Sequence, residues 1–102
     1  LIPLTTAFTI ESIQKLRDVG FKEIKVASFD CSSLPFLKEL KRYFKRLIVS
    51  TGATFDHEIE QAAKTLQGNH YSFLHCISIY PTPLDKMNIN RMSRFLSCFS
   101  LF

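Results

Sequence analysis

Lys25 stands between two β-branched residues in the run Ile24-Lys25-Val26-Ala27-Ser28. Strand side chains alternate, so Ile24 and Val26 share one face while Lys25 and Ala27 share the other. If the β-branched pair packs on helices, Lys25 points away from them, where an ammonium is costly unless it meets an anion. Ser50-Thr51-Gly52 follows a fully apolar run, and amides and hydroxyls at such a turn suit a phosphate. Gly52 lets the backbone come close to a ligand. Thr6, Ser28 and Ser78 close three other apolar runs in the same way. Tyr80 lies in Ile79-Tyr80-Pro81-Thr82-Pro83, where each proline fixes its own φ and restricts the residue before it. A hydroxyl-bearing aromatic held that way suits a polyol. One cation among several hydroxyls is the donor set of an anion site.

Other polar residues invite plainer readings. His75 is expected to turn toward a helix layer as a core histidine with a local partner. His57 and His70 flank elements, and no His/Asp/Glu grouping has metal-ligand spacing, so the chain offers no metal ligands of its own. Cys31, Cys76 and Cys98 lack C-x-x-C spacing and read as reduced thiols, with Cys76 a small hydrophobe inside a strand. Lys38, Lys41, Arg42, Lys45 and Arg46 are expected to form the solvated outer face of the second helix. The alternative is a small basic α/β nucleic-acid-binding module, although no aromatic stacking platform accompanies the cluster.

The elements that must position these residues recur four times. Ile2-Pro3-Leu4-Thr5-Thr6, Ile24 to Ser28, Leu47 to Gly52 and Phe73 to Ser78 are short apolar runs ending on hydroxyl residues. Helix-like patterns follow them. Thr9 is placed to cap a helix with Ile10, Ile13, Leu16 and Val19 on one side, and Gly20 to end it. A second helix is expected from about Pro35 to Lys45, with Leu37, Leu40, Phe44 and Leu47 on one side. Thr54 is expected to cap a third, striped by Ile59, Ala62, Ala63 and Leu66 and closed by Gly68. A last helix is expected from Asn90 to Phe99. Strands alternating with helices predict an α/β fold of parallel βα repeats, about four consecutive units of a (βα)8 barrel. In such folds ligands bind at the carboxyl ends of the strands.

The totals are consistent with that. The 102 residues allow one domain, and no apolar stretch approaches the ~18 residues of a membrane span. The amino end lacks the pattern of a secretory signal. A net charge of +4 permits anionic substrates or nucleic acid without choosing between them.

The order T-T-A-F-T, I-K-V-A-S-F-D, I-V-S-T-G and L-H-C-I-S-I-Y-P-T-P resembles the sialic acid synthase family over roughly Leu1 to Met92. That family includes the bacterial synthases of N-acetylneuraminate, legionaminate and pseudaminate. The resemblance implies an internal fragment, residues 1–102 being the third to sixth βα units of the barrel domain, without the antifreeze-like C-terminal domain. It implies a cytoplasmic, homodimeric parent enzyme that condenses phosphoenolpyruvate with an N-acetylmannosamine-type sugar, releasing phosphate. It also implies a divalent metal, manganese or magnesium, whose ligands lie on strands outside this chain. By matched motif, Thr6, Lys25, Ser28 and Ser50, with Thr51 and Gly52 beside them, would hold phosphoenolpyruvate. Asp30, Ser78 and Tyr80 would line the sugar side or the reacting centre, with Lys25 and Asp30 as the catalytic candidates. Nucleic acid and membrane partners are not implied, and the isolated chain is expected to be inactive. Another phosphoenolpyruvate- or sugar-phosphate-using barrel is the alternative within the enzyme class. Where many members read G-S-G-E, this chain has Ala27-Ser28-Phe29-Asp30, so the carboxylate is one methylene shorter.

Overall fold

The structure, a computed structural model, describes residues 1–98. Four parallel strands stand side by side in chain order: β1 (Leu4–Ala7), β2 (Glu23–Val26), β3 (Arg46–Ser50) and β4 (His70–Leu74). Helices α1 (Ile10–Val19), α2 (Leu34–Tyr43) and α3 (Asp56–Leu66) connect them, and α4 (Asn90–Cys98) follows β4. This is the α/β arrangement of consecutive βα units of a barrel. Among the described residues no helix is long and apolar enough to cross a membrane.

The register puts Thr6 beside Lys25, Lys25 beside Ile48, and Ile48 beside Ser72, one row across one face of the sheet. The opposite face carries Ala7, Ile24, Val26, Leu47, Val49, Tyr71 and Phe73, all buried. Ile13, Leu37, Leu40, Ile59, Ala62 and Leu66 pack on that face from the helices and are fully buried. Each such isoleucine or leucine side chain contributes roughly 1.5–3 kcal/mol on leaving water. The core therefore lies wholly between sheet and helices, and the Thr6–Lys25 face is left for another purpose.

Several expectations hold at the level of single caps. Ser12 N–H donates to Thr9 Oγ1 at 3.2 Å, and Gly20 adopts φ +109° at the end of α1. Other boundaries differ. The fourth strand, expected over Phe73 to Ser78, pairs three residues earlier, because β3 offers partners only from Arg46 to Ser50. Cys76 therefore lies in the segment after β4. Thr54 does not cap α3. Its hydroxyl donates to Gly52 O at 2.9 Å, and the Glu58 carboxylate instead accepts from Phe55 N–H at 2.8 Å.

The basic cluster also divides. Helix α2 ends at Tyr43, so Lys45 falls in the connection, while Arg46 and Leu47 belong to β3. Lys41 Nζ donates to Thr65 O at 3.1 Å and to Gln67 O, which covers carbonyls left over at the end of α3. The expected end of the last helix at Phe99 lies outside the described residues.

Candidate functional site

β2 stops two residues before Ser28 and β3 ends on Ser50, which leaves Ser28 and the 51–54 turn at the carboxyl edge of the sheet. Gly52 is the point of convergence. Its N–H donates to Ser28 Oγ at 2.9 Å. A Cβ on Gly52 would lie 2.6 Å from Ser78 Oγ and 2.9 Å from Ser28 Oγ, with Cys76 Cβ at 3.4 Å. Only a residue without a side chain leaves both hydroxyls room here. Ser28 and Ser78, from the second and fourth units, thus meet over the backbone of the third.

Below this edge lie Thr6 and Lys25, paired in register on the face away from the core. Both are half-buried. Ser50 points to the same face, being two residues on from Ile48, and is only 2% exposed. Its Oγ is buried and has no hydrogen-bond partner among the described residues. A buried hydroxyl left unpaired costs roughly 1–3 kcal/mol, so its persistence at a strand end calls for an explanation.

Asp30 sits on a 3₁₀ turn, Ser28–Asp30, directly after β2. With Ser28, Ser32, Ser33, Ala53 and Ser78 it lines a cleft of about 580 Å³. Burial raises the Asp30 carboxyl above its ordinary value. Phe29 stands at the same cleft and is 90% exposed. Tyr80 lies elsewhere. It borders a separate pocket of about 260 Å³ with His75, Thr82, Met87 and Ile89, and the Tyr80–Pro81 peptide is cis. The structure therefore brings Ser28, Asp30, Gly52 and Ser78 together, sets Thr6, Lys25 and Ser50 on the adjoining face, and keeps Tyr80 apart. Thr51 is fully buried and its hydroxyl donates to Leu74 O at 2.9 Å, tying β3 to the end of β4. His75 binds locally, its Nε2 lying 2.7 Å from Met87 O as donor to that carbonyl.

One residue escaped the sequence reading. Arg91, in the first turn of α4, donates from Nε to Asp56 Oδ1 at 3.0 Å and from Nη2 to Thr54 O. Its Nη1 reaches Thr51 O at 3.5 Å. An arginine in a polar helical turn carries no local signal of such a role; only the tertiary placement of α4 reveals it. Cys31, fully buried behind Thr54, has its thiol pushed up to about 11, chiefly by burial.

Among the described residues no three His, Cys, Asp or Glu side chains converge where they could hold a metal ion. The donor set present here thus does not fit the divalent ion that the family resemblance implies.

Comparison with known proteins follows the same lines. The profile of the NeuB family matches residues 1–102. The chain is 34% identical over 103 residues to the N,N'-diacetyllegionaminic acid synthase of Campylobacter jejuni, covering 96% of this chain and 31% of that protein. It superposes on the crystal structure of the Bacillus subtilis spore coat polysaccharide biosynthesis protein SpsE with a TM-score of 0.91 and 26% identity, covering 98% of this chain and 29% of the other. The N-acetylneuraminic acid synthetase of Leptospira borgpetersenii, solved with citrate, has the same fold, with a TM-score of 0.89 at 24% identity over 94% of this chain and 34% of that one. The chain spans about a third of the length of these relatives.

Proposed function

The chain belongs to the NeuB family, and from that premise we propose that it supplies the phosphoenolpyruvate-binding wall of a sialic acid synthase-type enzyme. The reaction is the condensation of phosphoenolpyruvate with an N-acetylmannosamine-type sugar, water entering and phosphate leaving, to give a nine-carbon 2-keto acid. In this reading the chain forms the third to sixth βα units of the barrel. The convergence of Ser28 and Ser78 on the Gly52 backbone, beside the unpaired Ser50 hydroxyl and Lys25, is the observation that carries it. That cluster offers hydroxyls, a main-chain edge and one ammonium, which is what a phosphate and a carboxylate need.

Lys25, Thr6, Ser28 and Ser50 bind the anion. Lys25 also neutralises charge that develops on it, which is the larger part of catalysis in such sites. Thr51 and Gly52 build the cradle rather than touch substrate with their side chains. Asp30, whose carboxyl is held above its ordinary value by burial, handles a proton at the sugar acceptor, with Ser78 beside it. Tyr80 would meet the sugar only at the outer rim. The divalent ion would be held by strands outside this chain, and the parent acts as a cytoplasmic homodimer on small-molecule substrates alone. The splitting of the basic cluster between α2, a connection and β3 supports leaving nucleic acid aside.

Titration of the chain with phosphoenolpyruvate, followed by amide NMR, tests this reading. Shifts at Gly52 and Lys25 that vanish in Lys25→Ala are expected, and an unperturbed spectrum at millimolar ligand would overturn it. The isolated chain should release no phosphate from phosphoenolpyruvate and N-acetylmannosamine; measurable release would contradict the assignment of the metal ligands to other strands.

A further inference from the structure

We propose that Arg91 is a positioning residue, a clamp that holds the Thr51–Thr54 turn in its ligand-binding shape from the helix that follows β4. The proposal rests on reading that turn as the phosphate cradle. Arg91 lies 40 residues after Thr51 and belongs to the helix beyond β4, yet its guanidinium meets the carbonyls of Thr51 and Thr54. Those two carbonyls bracket Gly52 and Ala53. Gly52 has no room for a Cβ, and Ala53 is held at φ +52°, in the left-handed region. A non-glycine residue there costs on the order of 1 kcal/mol and persists only when its surroundings impose it. A planar fork of five donors spreads its contacts over three nitrogens, here Nε, Nη1 and Nη2, whereas the three donors of a lysine share one nitrogen and do not span the same separation.

The clamp is itself braced. Asp56, in the first turn of α3, pairs with Arg91 at 2.9 Å and with Arg94 at 3.0 Å. The Arg91 guanidinium lies 5.1 Å from the Phe95 ring centre, and its side chain is only 17% exposed. Helix α4 thereby sets the direction of the Gly52 N–H, which rests on Ser28 Oγ. Neither Arg91 nor Asp56 needs to touch a ligand for this.

Hydrogen exchange on the full chain, with Arg91→Gln and Arg91→Lys, tests the clamp. Amides of residues 52–54 should exchange about tenfold faster in both variants, while those of Leu47 and Val49 keep the wild-type rate. The phosphoenolpyruvate dissociation constant should rise about tenfold, without rescue by lysine. Unchanged exchange at 52–54 overturns the proposal, and so does equal acceleration in β3 or failure of both variants to fold, since either would make Arg91 a general structural residue. If the wild-type chain binds no phosphoenolpyruvate while exchange still rises selectively at the turn, the clamp stands and only the choice of ligand falls.

Discussion

At position 52 the requirement for glycine is one of space, since a methyl group would press on two serine hydroxyls, and the left-handed glycines are elsewhere, at 20 and 68. Gly52→Ala should therefore cost about 1 kcal/mol in urea unfolding, because two short hydroxyls can rotate aside. It should cost far more in phosphoenolpyruvate affinity, because the same rotation removes the Ser28 contact. Ser50→Ala should behave differently. Its hydroxyl is buried and unpaired, so removal should leave the unfolding midpoint unchanged or raise it, while ligand binding weakens; a loss above about 1 kcal/mol would mean the hydroxyl has a structural partner. Cys31 gives a pH prediction. Its thiol is pushed up to about 11 from an ordinary 9.0, so the unfolded chain loses this proton first. Stability present below pH 9 should fall as pH rises toward 11, and the fall should shrink in Cys31→Ala when urea midpoints at pH 8 and 10.5 are compared. Lys25 was legible at this scale because strand alternation alone decides its face. Arg91 was not, because its partners lie some 40 residues away and no local pattern names them.

Between elements, the side chain that ties α2 to α3 is one that composition suggested was free. Lys41 donates to two carbonyls at the end of α3, and Asn69 Nδ2 donates to Lys41 O at 3.1 Å and Phe44 O at 3.2 Å at the end of α2. Lys41→Ala should lower the denaturation midpoint by the equivalent of about 1–2 kcal/mol, whereas Lys45→Ala, an exposed residue of the connection, should stay within about 0.5 kcal/mol. Equal effects at both positions would argue for a shared surface role instead. The helices were readable because a stripe such as Ile59, Ala62, Ala63 and Leu66 has no strand-like alternative. The end of β4 was less so. Its apolar run continues through Ile77, and periodicity cannot say where the neighbouring strand stops offering partners. The α3 cap was misread because two acceptors competed for one end, and Thr54 was drawn inward by Gly52 O.

For the molecule as a whole, one sheet face is covered and the other is not. Leu4 and Leu74 remain 47% and 40% exposed on the Lys25 side, and among the described residues the backbone edges of β1 and β4 have no strand beside them. The chain alone should self-associate, seen as a sedimentation coefficient that rises with concentration. A sharp monomeric thermal transition at micromolar concentration would refute this. The strand order β1-β2-β3-β4 has another consequence. Among the described residues every strand pairs only with its neighbour in the chain, and no connection steps over another. Such a structure can grow in the direction of synthesis, each βα unit docking on the one before it as it leaves the ribosome, with no earlier pairing to be undone. By the same logic, a gene that gained one more unit at either end would lengthen the sheet without rerouting anything already built.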